Sequence, residues 1–311
     1  MRREMTAASV SMLSLVAGTT MVLLSEAAYA ADNPSTIAPA LKCEALTGFS
    51  VPGSSLLIEK ADAVAEAPPG TVQVGPPDPE TVSVALPSNC RAQGVIDKRV
   101  GGDGKSYAIG FAIALPDRWN GRLVYQGGGG LNGSIRPPLG AQAAGDTPAL
   151  ARGFAVVSTD SGHQGAVFDG SFMREQEAAM NFAHGSVGKV AAAAKAIIVR
   201  YYGQPPARSY LVGCSTGGRE GMLASQRYPG EFDGIVAGAP AMRTGRSNLG
   251  LAWANYLFTQ ISPKDAAGKP ETNRAFSPSD RKLVNRRHCR RMRCEGRPQG
   301  RHDLQPASVS I

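Results

Sequence analysis

The sequence is poor in aromatic residues, with 2 Trp, 8 Tyr and 9 Phe among 311 residues. A nucleic-acid-binding domain combines a basic surface with stacking aromatics or a recognisable motif, and the body of this chain has neither. The formal net charge of +8 does not change this. Residues 281–311 hold nine basic and two acidic residues, so they contribute +7 of that charge. We expect no nucleic-acid partner; the alternative is binding by the charged tail alone.

Long hydrophobic runs are confined to the N-terminus. Residues 9–24 are mostly apolar or small, follow two arginines, and precede an A-x-A cleavage pattern that ends at Ala30. This arrangement is typical of a secretory signal peptide, whereas the alternative, a membrane anchor, needs about 20 uninterrupted apolar residues. We therefore predict a signal peptide at residues 1–30, a secreted or periplasmic protein, and no membrane association after cleavage.

Cysteine is scarce, with five residues in the chain. In an exported protein, five cysteines are expected to form disulfides and leave one over. Cys43 and Cys90 flank a connection rich in Pro and Gly. We predict that they pair and staple a loop-rich N-terminal segment, residues 31–95, to the core. The other three are Cys214, Cys289 and Cys294.

Strands and helices alternate through residues 96–260, the predicted core domain. A hairpin that turns at Gly101–Gly104 comes first. The later strands are continuous apolar runs, and the stretch 185–203 has apolar residues at helical spacing up to Gly203. This order is typical of an α/β fold with a parallel sheet covered on both faces.

The stretch GCSTG at residues 213–217 fits the pattern G-x-S-x-G between a strand and a helix. In that setting the serine, Ser215, is a candidate nucleophile on a sharp turn, with small residues around it that let the strand and helix approach. The backbone N–H of Thr216 at the helix start is a candidate oxyanion donor. The alternatives are a serine that caps the helix and a phosphate-binding turn.

Four glycines, Gly127, Gly128, Gly129 and Gly130, directly follow the strand GRLVYQ. A glycine run after an earlier strand supplies the second oxyanion N–H in hydrolases of this architecture. The alternative is a flexible loop. A dinucleotide-binding loop is disfavoured, because prolines stand where its helix would begin.

Three stretches resemble the tannase and feruloyl esterase family of α/β-hydrolases. They are YLVGCSTGGREGMLASQRYPGEFDGIVAGAPA, VVSTDSGH and YQGGGGLNG, and the resemblance covers residues 41–280. It implies an α/β-hydrolase-type, mostly parallel sheet with helices on both faces. It also implies hydrolysis of small aromatic esters of phenolic acids, such as gallate or hydroxycinnamate, with no cofactor needed for the chemistry.

The same resemblance implies two further features. A cysteine beside the nucleophile pairs in this family with one beside the catalytic histidine, which gives Cys214 that role; the alternative is a small buried thiol. The family also carries a lid with a calcium site in an acidic loop. Residues 261–285 resemble the start of the lid, but the acidic loop is absent from the sequence, so we predict no metal-binding residues.

The partners of Ser215 are hard to place. The expected order is Ser, acid, His, and the only later histidines are His288 and His302. His288 precedes Cys289 and so matches the family's His-Cys pair in letters, but no strand leads into it. The acidic candidates Asp280 and Asp303 also follow no buried strand.

Three residues that precede Ser215 in the sequence are weaker candidates for the functional site. His163 follows a strand and is a candidate pocket residue, with a locally bonded loop histidine as the alternative. His184 is interpreted as a helix-entry residue and Asp160 as a turn former.

Residues 286–311 form an Arg-rich tail without helical or strand periodicity. We hypothesise that this aberrant tail arises from a shifted reading frame, so that the rest of the lid and the C-terminal part of the fold are missing. The sequence thus predicts an exported serine carboxylic ester hydrolase, impaired by loss of the downstream Asp and His. The alternative is a non-catalytic or inactive binding protein that keeps the α/β-hydrolase fold.

Overall fold

The computed structural model describes residues 36–75, 78–140 and 147–294, with side chains up to residue 286 except at 78–79. The predicted signal peptide and the end of the predicted tail lie outside these residues. The chain divides into two compact units, one that ends at Met242 and one that begins at Arg243. This division falls inside the predicted core of residues 96–260, and the predicted boundaries at 260 and 285 stay predictions.

A seven-stranded mixed sheet is the framework of the first unit. The strands that the structure describes are β1 (Leu57–Val64), β2 (Gln73–Gly75), β3 (Asp78–Thr81), β4 (Asn89–Val100), β5 (Ser106–Pro116), β6 (Arg122–Gln126), β7 (Ala155–Thr159), β8 (Arg208–Cys214) and β9 (Gly234–Gly238). Their order in the sheet is β1-β4-β5-β7-β6-β8-β9, and β2 and β3 form a separate pair.

The sheet changes from antiparallel to parallel at β7. Strands β1, β4, β5 and β7 pair antiparallel, whereas β7, β6, β8 and β9 pair parallel. The predicted hairpin is present as β4 and β5, closed by the Gly101–Lys105 turn. Because parallel strands end at the same edge, the segments after β6, β7 and β8 meet there.

The helices of the first unit cover one face of this sheet. They are α1 (Gln176–Met180), α2 (Ser186–Tyr202) and α3 (Thr216–Arg227), with a π-helical turn at Asn181–Gly185 between the first two. Helix α2 buries Val190, Ile197 and Ile198 completely in the larger hydrophobic cluster, as its 3.6-residue period requires. It ends at Gly203, which has a φ of 78°, a conformation that glycine adopts without steric cost.

The opposite face carries a second, smaller hydrophobic cluster. Val124 and Val156 on the sheet pack there with Leu139 and with the 3-10 turn Leu150–Arg152. The alternating strands and helices were predicted from the sequence, and the α/β fold class is confirmed. In the described part of the first unit, this second face is covered by that turn, by the loop at Leu139 and by the region of β2 and β3, from which Val74 and Val82 join the same cluster.

One described helical run, Gln176–Tyr202, is long and apolar enough to cross a membrane by length and composition. Core helices of globular proteins pass the same test, and the apolar side of α2 is packed inside the unit. The predicted lack of membrane association stays a prediction.

The N-terminal segment is held to the sheet by a disulfide. Cys43, in the 3-10 turn Cys43–Leu46, is bonded to Cys90 on β4, which confirms the predicted pair. The segment was predicted as loop-rich, but it also contributes β1, whose Ile58 and Ala61 are buried. The sequence did not predict this strand, because buried and exposed residues do not alternate regularly along it.

The second unit contains α4 (Thr244–Ile261), a 3-10 turn at Thr272–Arg274, and α5 (Pro278–Cys294). Helix α5 continues into the predicted Arg-rich tail, where the sequence shows no apolar period. Arginine has a high intrinsic helix propensity, so a helix can form there without an amphipathic pattern.

Candidate active site

Ser215 occupies a strained turn between β8 and α3. Its φ and ψ are 57° and −113°, a region that costs a non-glycine residue of order 1–3 kcal/mol. The turn is held from both sides: the Ser215 N–H donates to Gly238 O at 3.1 Å, and the Ser215 carbonyl accepts from the Ala241 N–H at 2.9 Å. This is the strand–turn–helix conformation that a nucleophile elbow requires.

Small residues are needed on both sides of the turn. A Cβ on Gly213 would lie 2.5 Å from the Gly217 carbonyl carbon, and a Cβ on Gly217 would lie 2.9 Å from the Gly127 carbonyl carbon. Backbone atoms at these distances cannot move aside independently. The close approach of β8, α3 and the end of β6 therefore depends on these glycines.

The four-glycine segment, residues 127–130, lies directly against the elbow. The Gly217 N–H donates to Gly128 O at 3.0 Å, and the Thr216 hydroxyl donates to Gly130 O. The structure thus brings together the two segments from which the sequence predicts an oxyanion hole.

The backbone amides of this glycine segment do not have equal roles. The Gly127 N–H donates to Val212 O at 2.9 Å, and the Gly128 N–H donates to Glu220 Oε2 at 3.0 Å. Those two amides already have acceptors. The remaining candidates for N–H donors to the oxyanion are Gly129, Gly130 and Thr216. Thr216 is the first residue of α3, and an N–H at that position lacks an acceptor within the helix.

Sequence reasoning missed a buried polar cluster behind the glycine segment. Its centre is the Glu220 carboxylate, 1% exposed, which accepts from the Asn132 amide and the Ser161 hydroxyl, each at 3.2 Å, as well as from Gly128. Burial raises the pKa of Glu220, and these hydrogen bonds act in the opposite direction. A charged residue one turn into a helix of small residues was the only signal in the sequence.

Asp160 follows β7 and is also buried. Its Oδ1 accepts the N–H groups of Gly110 and Gly162, both at 2.9 Å. Burial raises the pKa of Asp160 to about 7, although the backbone hydrogen bonds lower it. The prediction of a turn former describes its bond to Gly162 but misses its bond to β5.

His163 lies in an aromatic cluster. Its ring stacks on Phe172 with centroids 3.5 Å apart and meets the edge of Phe182 at 5.9 Å. Burial lowers the pKa of His163 to about 4, while a hydrogen bond to the Leu131 backbone acts against that shift. The ring is therefore neutral at pH 7. Its role as a pocket residue stays a prediction.

His184 lies in the π-helical turn. Its carbonyl accepts from the Tyr228 hydroxyl at 3.1 Å, and burial lowers the pKa of its ring. Among the residues that the structure describes, no hydrogen bond joins the Ser215 hydroxyl to a histidine.

Of the later candidates for the acid and the base, the structure describes the side chain of Asp280 alone. Asp280 accepts from the Ser277 N–H at 2.9 Å and from its hydroxyl at 2.6 Å, which places it in the first turn of α5 as a capping partner. The side chain of His288 and all of His302 and Asp303 lie outside the described residues.

Cys214 is exposed and unpaired among the described residues, so its predicted disulfide stays a prediction. Within the described ranges, no group of three or more His, Cys, Asp or Glu side chains could hold a metal ion. The described residues offer no set of ligands for the calcium site that the family resemblance implies, and no chemical step is assigned to calcium.

The fold defines an α/β-hydrolase-type protein, and Ser215 lies at its strained strand-to-helix turn. The chain belongs to the tannase and feruloyl esterase family, which matches residues 90–272.

Two similar esterases and one solved structure support this assignment. Mono(2-hydroxyethyl) terephthalate hydrolase of Piscinibacter sakaiensis is 38% identical over 256 residues, which are 78% of this chain and 41% of that protein. Probable feruloyl esterase B-1 of Aspergillus terreus is 38% identical over 46% of this chain and 25% of that protein. The crystal structure of feruloyl esterase B from Aspergillus oryzae matches with a TM-score of 0.52 and 26% identity, over 72% of this chain and 42% of that one. The chain spans less than half the length of these relatives.

Proposed function

We propose that this chain carries the nucleophile and oxyanion donors of an exported carboxylic ester hydrolase for esters of aromatic, chiefly phenolic, acids. The observation that carries the proposal is the positive-φ turn at Ser215 with the glycine segment against it. Both features serve acyl transfer, because one exposes a hydroxyl and the other brings backbone amides to the same point.

The chemistry follows the usual two stages of acyl transfer. The Ser215 Oγ attacks the ester carbonyl, and the carbonyl oxygen becomes an oxyanion held by the N–H groups of Thr216, Gly129 and Gly130. The alcohol then leaves with the serine's proton, and a water molecule hydrolyses the acyl-enzyme. The N-terminal end of α3 favours the developing negative charge.

The aromatic acyl group is proposed from the named relatives. Terephthalate and ferulate, which appear in their names, are both aromatic acids joined to alcohols through esters. Gallate and hydroxycinnamate esters belong to the same chemical class, so they are the substrates we propose to test.

Proton transfer is the weak step in this chain. The acid and base are expected after the serine, and residues 216–242, the rest of the first unit, contain no histidine. Oxyanion binding alone leaves about 10³–10⁴-fold acceleration over water in serine proteases. We therefore propose an esterase rate far below that of an enzyme with a complete triad.

Export is proposed from the signal-peptide pattern and supported by the disulfide between Cys43 and Cys90. Disulfides persist in oxidising compartments and are rare in the cytosol. Expression with the native N-terminus tests it: the expected result is a periplasmic or secreted chain shortened by about 30 residues, as signal cleavage requires.

Ester hydrolysis tests the activity. The purified chain is assayed with ethyl ferulate, methyl gallate and an aliphatic ester, beside Ser215→Ala and a control, Ser225→Ala, whose exposed hydroxyl lies on the same helix. We expect hydrolysis of the aromatic esters that Ser215→Ala abolishes and Ser225→Ala retains. Equal rates for wild type and Ser215→Ala would contradict the proposal. Ferulate binding without turnover would favour the non-catalytic alternative.

A further inference from the structure

Glu220 is a buried carboxylate for which the proposed ester hydrolysis has no direct use. It lies on α3, five positions after Ser215, and is 1% exposed. Moving a carboxylate out of water is costly unless donors replace its hydration. Both of its oxygens are used: Oε2 accepts from Gly128, and Oε1 accepts from Asn132 and Ser161.

Two of its partners have strained backbones. Asn132 has a φ of 55° and Ser161 a φ of 65°, so both are non-glycine residues in the left-handed region. Strained residues persist when the surrounding contacts determine them, and they cluster at functional sites. Here the same carboxylate binds both side chains, one after β6 and one after β7. Glu220 thus connects the nucleophile helix to two loops at the carboxyl edge of the sheet.

Hydrogen bonds to Gly128 hold both of the peptide groups that flank this glycine. The Gly128 N–H is held by Glu220, and its carbonyl is held by the Gly217 N–H at 3.0 Å. A glycine backbone has wide conformational freedom, so two fixed hydrogen bonds determine the direction of the chain that follows. That chain contains Gly129 and Gly130.

We propose that Glu220 is a positioning residue that, by binding the Gly128 amide, orients the Gly129 and Gly130 amides toward the oxyanion formed at Ser215. This inference rests on the proposed function, because an oxyanion forms only if Ser215 is acylated. Glu220 itself touches no reacting atom; it acts through the backbone of the glycine segment.

Three variants separate positioning from mere stability. Glu220→Met keeps the length but removes the acceptor of the Gly128 N–H. Glu220→Asp keeps the carboxylate but withdraws it by one methylene group, so it serves if the Met variant does not fold. Glu220→Gln keeps a carbonyl oxygen for Gly128, while its amide can donate to the Ser161 hydroxyl and to Asn132 Oδ1, which has no hydrogen-bond partner among the described residues.

Two measurements are made on the full chain. The first is the rate at which a fluorophosphonate modifies Ser215, since this reaction also places negative charge on an oxygen at the site. The second is hydrogen exchange of the amides in residues 127–130, which does not depend on activity. The matched control is Glu175→Met, because the Glu175 carboxylate accepts the Ala178 N–H at 2.6 Å in another part of the unit.

We expect the Met and Asp variants to react at least about tenfold more slowly, in line with the loss of an oxyanion donor, and to exchange faster in residues 127–130. The Gln variant should stay within about threefold of wild type, because it keeps a neutral hydrogen bond. The control should lose stability but match wild type in both measurements.

The outcomes distinguish this inference from the proposed function. Wild-type reactivity in every Glu220 variant, or unchanged exchange in residues 127–130, would overturn the positioning role while leaving the esterase proposal intact. A wild-type chain whose Ser215 does not react would overturn the esterase proposal. The exchange measurement would then decide by itself whether Glu220 holds the glycine segment.

Discussion

At the scale of single residues, backbone contacts constrain the site more than side chains do. Glycine stands at residues 127, 213 and 217 because backbone atoms from three segments meet there. Any Cβ at these positions would push the glycine segment away from Ser215. The turn at Ser215 and the glycine segment are thus closely packed against each other.

Substitution of Gly127 tests this packing. Its Cβ would lie 2.7 Å from Gly217 Cα and 3.0 Å from Gly213 Cα, so we expect Gly127→Ala to lower the free energy of unfolding by about 1–3 kcal/mol, the cost of overpacking. Gly230→Ala is the control, because no atom of the described residues lies within 4 Å of a Cβ at that position. Urea denaturation measures both, and equal stability of the two variants would show that the segments are not closely packed.

Asp160 gives the molecule a specific pH dependence. Burial raises its pKa from 3.8 to about 7 in the folded state, so the folded state holds the proton more tightly than the unfolded state. Its contribution to stability is therefore largest below pH 4 and is lost as the pH rises towards 7. His163, whose pKa burial lowers to about 4, acts in the opposite direction between pH 4 and 6.5.

Asp160→Asn separates the two effects, because His163 is common to both proteins. We expect the stability of wild type relative to Asp160→Asn to fall by about 2–3 kcal/mol between pH 5 and pH 8, at about 1.4 kcal/mol per pKa unit. The free energy of unfolding in urea at each pH measures it. A difference that stays constant with pH, or that grows, would mean that Asp160 is not protonated in the folded state near neutral pH.

The sequence predicted the tight turn at Ser215 and its glycine neighbours, because a motif between a strand and a helix encodes them. It did not predict that Glu220, Asn132 and Ser161 form a cluster. The two residues of each hydrogen-bonded pair in this cluster are at least 29 positions apart in the sequence. Such contacts depend on which strands become neighbours in the sheet. That order, with β7 between β5 and β6, is not present in the local pattern.

At the scale of elements, the first unit is built from apolar strands. The sequence predicts where most of these strands lie, but it does not predict which strands pair in the sheet. Strands β5 to β9 and helices α2 and α3 were predicted from apolar runs, helical spacing and glycine stops. Strand β1 was missed, since a strand at the sheet edge buries few of its side chains. The disulfide compensates for that small burial by joining the turn at Cys43 to β4.

Removal of the disulfide tests that role. Cys43→Ser with Cys90→Ser opens a loop with a sequence separation of 47, and we expect a loss of about 2–4 kcal/mol in the free energy of unfolding. Cys214→Ser is the control, because Cys214 is exposed and unpaired among the described residues. Urea denaturation without reductant compares the three proteins. If the double variant is as stable as wild type, the staple is not a stabilising element.

At the scale of the whole molecule, the chain joins a part that matches the family to a strongly basic end. The family match ends at residue 272, and most of the net charge follows residue 280. The residues that we propose to attack the ester and bind its oxyanion all lie before Met242, whereas the candidates for the acid and the base lie after it. We therefore place the proposed nucleophile and oxyanion donors in the first unit and expect slow ester hydrolysis from this chain.

The proposed function requires Ser215 to be a reactive nucleophile, and covalent labelling measures that reactivity. The folded chain is treated with a fluorophosphonate, digested with trypsin, and the peptide of residues 209–219 is examined by mass spectrometry. We expect one phosphonyl group on Ser215 and none on this peptide in Ser215→Ala. A folded wild-type chain that remains unmodified at Ser215 would contradict it.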